Sequence, residues 1–385
     1  MTGKSSRSPK ASSPLGGIVV VELGHSVAAP AAGQILGDLG ADVIKIEKPQ
    51  GDDARAWGPP FADGASATFN AVNRNKRAVV CELRDEAQKA KLVEFIVAKA
   101  DVVLQNLRPG QADALQLGAK ALLRKKPSLV YCNVGAFGAK GPLAGRPGYD
   151  ALMQAFGGVM SVVGEEGRPP VRVGPSIIDV GTAMWAAIGI LSALYRRRES
   201  GKGGVVDVSL FETSAAWMNM FAAHYLSSGN LPKKHGSGQV GIVPYRAIRT
   251  SDGHVVISGA NDNLFRKLCG ALSHPEWAEN GKFRSNPDRV KNADRLYALI
   301  EGEMSKKSNA HWIAALDDVG VPCAPVQDVA QMLTHDQTKA LELLQPVPGS
   351  SIPMIGCPIS FDGERPLPRG AAPALGANTG EVLGS

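Results

Sequence analysis

The chain opens on a pattern that few folds accommodate. "GGIVVVELG" (16–24) is a β-branched run ending in glycine, "APAAGQILGDLG" has helical spacing, and "ADVIKIEKP" returns to strand character before Pro49. Strand, helix and strand at this spacing form a βαβ unit, which implies a parallel sheet with right-handed crossovers. The alternation continues. "AVVCEL" reads as strand, "DEAQKAKLVEFIVAKA" as amphipathic helix and "DVVLQNL" as strand, followed by "AKALLRKKP" as helix and "SLVYCNVGAF" as strand. A long helix over about 179–197 precedes a Gly-rich turn, another strand and another helix. The predicted class is α/β with a doubly wound parallel sheet.

After "GNLPKKHGSGQ" the character changes. "VPYRAIRTSDGHVVISGA" reads as a hairpin turning at Ser251-Asp252-Gly253, and helical segments follow near 262–272, 286–306 and 309–319. The predicted layout is a basic, disordered tail over 1–14, a large domain from 15–227, a smaller α+β domain over 228–325 with its linkers, and Pro/Gly-broken extended chain over 326–385. A length of 385 residues suits two domains.

Composition narrows the function classes. The five cysteines are scattered with no CxxC pair, and the seven histidines form no HExxH pair, so neither a disulfide framework nor a metal site is expected. The net charge of +6 includes Lys4, Arg7 and Lys10 of the tail, and no aromatic-interleaved basic run points to nucleic acid. The tail has no apolar core of a secretory signal, and the apolar run Val180 to Tyr195 is shorter than the ~20 residues that span a bilayer. A cytoplasmic protein without a membrane partner is expected.

The first strand–helix turn, "ELGHSVAAPAAG", lacks the GxGxxG of a dinucleotide site. "GHSVA" approximates a nucleophile elbow with Ser26 as nucleophile, but Ala28 replaces the final glycine, and a plain turn with Ser26 capping the helix is favoured. Small and polar residues in "GHSVAAP", "QNLRPG" and "GAFGAKGP" would converge at the strand tips, where Lys48 and Lys76 offer charge for an anionic ligand. Asp179, a lone carboxylate in "GPSIIDVGTAM", reads locally as a helix N-cap or as a nucleophile.

Several ordered motifs resemble the class III CoA-transferases, the group that includes formyl-CoA transferase, carnitine-CoA transferase and α-methylacyl-CoA racemase. They are "GIVVVELGHSVAAPAAGQILGDLGADVIKIEKPQGDDAR", "NRNKRAVVCEL", "ADVVLQNLRPG", "GAFGAKGPLAGRPGYDALMQAFGG", "RRRESGKGGVVDVSLFE" and "DDVGVPCAPVQDV". The resemblance implies a Rossmann-like large domain built from 15–227 and 326–385, an interlocked homodimer, and Asp179 as the nucleophile of a CoA exchange. No cofactor is held permanently, because CoA thioesters are substrates alongside a small carboxylic acid. Val27, Lys48, Cys81, Leu83, Arg84, Asn106, Leu107 and Arg108 match positions along CoA. Gly135, Phe137 and Gly138 match the acyl end, and His25, Trp57 and Tyr149 lie near the active site. At Asp179 the helix N–H groups are expected to keep the carboxylate ionised and to stabilise developing oxyanions.

Departures refine this. Ala114 stands where the family commonly has Arg, Val27 where formyl-CoA transferases have Gln, and Tyr149 where racemases have a His base. They favour a transferase and count against oxalate. Arg55 and Arg172 are candidates to pair with a second carboxylate, which suggests succinate. A racemase, a Ser26 hydrolase and a non-catalytic CoA-binding protein are the competing readings.

Overall fold

The computed structural model describes residues 13–384, so most of the basic tail lies outside the described residues. Two compact units are present. The larger comprises the chain up to Val159, Arg172–Ala223 and Gln337–Ser385; the smaller comprises Met160–Val171 and His224–Asp336. Residues 160–171 therefore belong to the smaller unit rather than the large one, and that unit runs to 336 rather than 325.

The larger unit is built on six parallel strands: β1 (Val19–Leu23), β2 (Asp42–Glu47), β3 (Lys76–Val80), β4 (Val102–Gln105), β5 (Val130–Gly135) and β6 (Gly204–Ser209). Their spatial order is 3-2-1-4-5-6, every adjacent pair being parallel. This is the Rossmann order, with its topological switch point between β1 and β4. Helix α1 (Ala28–Asp38) follows β1, and α2 (Glu86–Lys99) follows β3 with Asp85 capping through Ala87 and Gln88 N–H. One core lies between the sheet and the α2 side, where Val21, Ile44, Val79, Leu92, Ile96, Val103, Leu122 and Tyr131 are fully buried.

Strand β3 begins at Lys76, two residues before the apolar run that signalled it, and stops before Cys81. Lys76 is tolerated in a buried strand because Glu22 pairs with it at 2.8 Å. The outer edge of β3 is covered by the C-terminal chain: Ala78 N–H donates to Asn378 Oδ1 and Val80 N–H to Thr379 Oγ1. An edge strand that would invite pairing is thereby closed.

Helix α3 (Asp150–Phe156) leads toward α4 (Ile177–Ser200), and α5 (Leu210–Trp217) follows β6. At 24 residues α4 is long and apolar enough to cross a bilayer, longer than the run seen in the sequence. Here it lies against α1, β5 and β6 and buries Ile178, Ala183, Ala186, Ala187 and Ile190. A Cβ at Gly181 would stand 2.8 Å from Trp217 and 3.0 Å from Thr213, so glycine permits the close approach of α4 and α5. Met184, Trp185 and Ile188 remain exposed on its other side.

The smaller unit carries an antiparallel sheet of β7 (Tyr245–Arg249), β8 (His254–Ser258) and β9 (Cys323–Pro325), in the order β9-β8-β7. The hairpin turns at the predicted Ser251-Asp252-Gly253. The long helical stretch near 286–306 is two helices, Asn286–Lys291 and Ala293–Met304, divided at Asn292. Its core gathers Ile248, Val255, Ile257, Phe265, Leu268, Leu296, Ile300 and Trp312 around Arg289, whose buried guanidinium bonds Asp262 and the carbonyls of Val243 and Phe283.

Candidate active site

The tips of β1 to β4 shape a cavity of about 540 Å³ in the larger unit, within the usual range for small-molecule sites. After β1 the chain turns through Gly24, His25 and Ser26, and Ser26 takes a left-handed conformation (φ 66°). Buried charge stabilises that turn. Lys45 on β2 donates to Gly24 O at 2.7 Å and pairs with Glu22 at 3.1 Å and Asp52 at 2.9 Å, all three side chains being closed to solvent. Asp52 Oδ1 accepts from Ser26 N–H at 3.1 Å and Ala54 N–H at 3.0 Å. Burial alone would raise the Asp52 pKa; Lys45 and these N–H groups overcome it and hold the carboxyl below its usual range. Ser26 therefore does not cap α1, whose N-cap is Val27 without a side-chain bond.

Asn106 frames the same turn from β4. Its Oδ1 accepts from His25 N–H and its Nδ2 donates to His25 O, both at 2.9 Å, so the amide acts as one more rung between β1 and β4. An amide chain runs across the neighbouring tips. Asn133 donates to Asp207 at 2.7 Å, Gln105 to Asn133 at 2.6 Å, and Gln105 Oε1 accepts from Leu107 N–H at 2.8 Å. The loop 106–108 is thus pinned from β6 inward.

Of the residues singled out by sequence, His25, Lys48, Trp57, Cys81, Leu83, Arg84, Leu107, Arg108 and Tyr149 line this cavity. Val27 and Asn106 do not; the first begins α1 and the second spends its amide on His25. Gly135, Phe137 and Gly138 lie outside it as well. Phe137 joins an aromatic cluster with Phe156 (5.2 Å, edge-on) and Phe211, and Gly138 (φ 94°) faces Glu212. Gln111 and Leu115 reach the cavity where Ala114 does not.

Charge at the rim is unequal. Arg84 and Arg108 are exposed and form no ion pair among the described residues, whereas Lys48 pairs with Asp53 at 2.7 Å in solvent. Lys76 cannot serve a phosphate as expected, because it is buried against Glu22, Pro30 O and Asn73. Arg55 is likewise engaged: it forks onto Glu47 at 2.6 and 2.8 Å, donates to Pro373 O and stacks 3.9 Å over Phe69. Arg172 is exposed. Burial lowers the pKa of His25 against the pull of Asp52, and burial pushes the Cys81 thiol up to about 11, so neither is ionised at neutral pH.

Asp179 occupies the third position of α4, not its N-cap; Ser176 is the N-cap and makes no side-chain capping bond among the described residues. The first N–H groups of the helix are already engaged. Ile177 donates to Pro175 O, Ile178 and Asp179 to Asp150 Oδ2 at 2.8 and 3.2 Å, and Val180 to Ser176 O. They neither hold Asp179 ionised nor remain open to an oxyanion, contrary to the sequence expectation. Burial first, and the Asp150 charge second, push Asp179 up to about 7. The aspartate does not itself line the cavity. It is tied to the cavity wall through Tyr149, which lines it, and the adjacent Asp150. Asp150, Gln154 and Asp52 were missed by sequence reasoning; the "GYD" and "GDDAR" motifs contain two of them, but nothing local shows what they bond.

A family model described as CoA-transferase family III matches residues 15–379. The chain belongs to that family. It is 37% identical over 378 residues to the acetyl-CoA:oxalate CoA-transferase of Acetobacter aceti, covering 97% of this chain and 96% of that one. It is 32% identical over 388 residues to the succinyl-CoA:glutarate CoA-transferase of Mus musculus, covering 99% and 88%. Among solved structures, a CAIB/BAIF family protein from Brucella suis superposes with a TM-score of 0.88 at 36% identity, over 97% of this chain and 99% of that one. This class III CoA-transferase therefore combines the Rossmann strand order with a cavity at the strand tips in place of a glycine-rich dinucleotide loop.

Proposed function

We propose that this CoA-transferase moves CoA from an acyl-CoA donor to a small dicarboxylic acid through covalent intermediates on Asp179. The observation that carries the reading is the link from the cavity at the strand tips, through Tyr149 and the adjacent Asp150, to the backbone of Asp179, whose half-buried carboxylate stands at the start of α4. The Asp179 carboxylate attacks the thioester carbonyl; the C–S bond breaks, leaving an aspartyl–acyl anhydride and CoA thiolate. The thiolate attacks the aspartyl carbonyl, releasing the donor acid and forming an aspartyl-CoA thioester. The acceptor carboxylate then repeats the two steps in reverse. Anhydride and thioester are close enough in energy for both directions, which is how covalent catalysis divides one hard exchange.

CoA would lie along the cavity with Arg84 and Arg108 toward its phosphates. It enters as substrate, so no resident cofactor or metal is required. The dicarboxylate class is supported by the relatives' names, which pair an acyl-CoA with oxalate, glutarate or mesaconate. With Arg55 engaged by Glu47, Arg172 is the remaining candidate for the second carboxylate. The exposed apolar side of α4 supports the homodimer that the family resemblance implies, and a cytoplasmic enzyme remains the proposed setting. The test is turnover of succinyl-CoA and acetyl-CoA with oxalate, malonate, succinate and glutarate. Acid-dependent CoA transfer that falls by at least ~10³-fold in Asp179→Ala supports the reading; undiminished transfer by that variant refutes it.

A further inference from the structure

We propose that Asp150 is the positioning residue that seats Asp179, acting as a helix cap supplied from a neighbouring helix and as a like charge held beside the nucleophile. The inference rests on Asp179 being the nucleophile. Helix α4 starts without a local side-chain cap, since Ser176 makes no capping bond. Its second and third N–H groups converge instead on one oxygen of Asp150, 28 and 29 residues upstream. The other oxygen accepts from Gln154 Nε2 at 2.6 Å, while Gln154 Oε1 accepts from Val173 N–H at 2.8 Å. One aspartate and one glutamine thus fix both the approach to α4 and its first turn.

Asp150 is only 6% exposed and pairs with no cation among the described residues. Three N–H donors and the positive end of a 24-residue helix take the place of a counterion. The same charge acts on Asp179. The remaining acids on the packed elements are occupied elsewhere: Asp38 of α1 with Arg74, Asp207 of β6 with Asn133, and Glu212 of α5 with Ser209. Tyr131 and Cys132 of β5 are protonated, their pKa values raised by burial. By intercepting the helix N–H groups, Asp150 removes donors that would otherwise stabilise the Asp179 carboxylate, and it adds a like charge. The nucleophile stays less solvated and more basic, and hence more reactive once ionised, while its backbone is held still.

The experiment is the pH dependence of single-turnover adduct formation on Asp179, with succinyl-CoA in excess and the adduct mapped by mass spectrometry. Asp150→Asn keeps the shape but removes the charge and sets two amide donors against each other at Gln154. Its expected profile has a midpoint lowered by about one pH unit, since one unit reflects the loss of a single near charge. Its plateau rate should fall about ten-fold through lost alignment. Asp150→Asn with Gln154→Glu restores matched donors and acceptors and returns the negative charge one hydrogen bond farther from Asp179, so the plateau should return to within about three-fold of the unaltered enzyme while the midpoint rises only part of the way back. CoA affinity should be unchanged in both, because Asp150 does not line the cavity. An unshifted midpoint with an unchanged plateau in Asp150→Asn overturns the inference, as does a well-folded double variant that recovers no rate. If Asp150→Asn fails to fold, the double variant alone decides between these outcomes. Absence of any Asp179 adduct in the unaltered enzyme instead overturns the nucleophile itself and this inference with it.

Discussion

Lys45 and Lys48 stand three residues apart at the end of β2, and replacing each by methionine should have very different effects. The Lys45 ammonium is closed to solvent and holds Glu22, Asp52 and Gly24 O. Lys45→Met would leave a buried carboxylate, Asp52, with no cation, and a buried carbonyl without its donor. Breaking a buried pair from one side costs about 3–5 kcal/mol. Lys48, by contrast, pairs with Asp53 where the two side chains are 52% and 74% exposed, and Lys48→Met should cost no more than about 0.5 kcal/mol.

Urea unfolding followed by tryptophan fluorescence reads both, with Trp57, Trp185 and Trp217 reporting on the larger unit. The pH dependence gives a second check. Lys45 holds the folded Asp52 pKa below its unfolded value, so in the unaltered protein this stabilisation is complete above the unfolded pKa and is lost as pH falls through the folded one. Without Lys45 the same carboxylate titrates above its unfolded value, so acidification relieves the variant. The gap between the two proteins should narrow below about pH 4. Equal, small losses for both lysine variants, or a gap that does not change with pH, would refute the proposed role of the buried network in supporting the 24–27 turn.

Other outcomes follow from the same geometry. Asp179 titrates near 7 in the fold, above its unfolded value, so the folded chain holds the extra proton between about pH 4 and 7 and loses relative stability as pH rises through that window. Asp179→Asn should therefore raise stability at pH 8 by something on the order of 2 kcal/mol, measured by thermal or urea unfolding, while abolishing transfer. Asn106→Ala removes both bonds to the His25 backbone and should weaken CoA binding about ten-fold by calorimetry, with a loss of roughly 1–2 kcal/mol in stability. Gly33→Ala would place a Cβ 1.9 Å from Glu22 Oε2, inside a locked ion pair, and should yield little folded protein on expression, whereas Gly110→Ser in the exposed turn meets no atom within 4 Å. The left-handed backbone at Gly110 limits that second change to about 1–2 kcal/mol.

Legibility in the sequence followed the range of the forces involved. Strands β1, β2 and β4 were readable because burial on both faces writes continuous Val and Ile runs. The start of β3 was not, because Lys76 and Arg77 look like loop residues until Glu22 and Asp42 are brought beside them. The strand-tip cavity was anticipated through the parallel topology and the motif resemblance. That the side chains of Lys76, Arg55 and Asn106 would be engaged within the protein was not, since their partners lie between 3 and 318 residues away and polar type alone does not reveal a partner. The sharpest case is Asp179. Local rules suggest an N-cap, yet the helix starts two residues earlier on Ile177 because Asp150 caps it from a distance. A cap supplied through tertiary structure leaves no signature in the capped segment.

The most direct measurement is a peptide map of the protein after brief mixing with succinyl-CoA and quenching in hydroxylamine. Capture of the activated carboxylate predicts a hydroxamate at Asp179, dependent on acyl-CoA and absent when the acceptor acid has drained the intermediate. A transferase that turns over normally while Asp179 stays unmodified, or that carries the label on Ser26, would contradict the account.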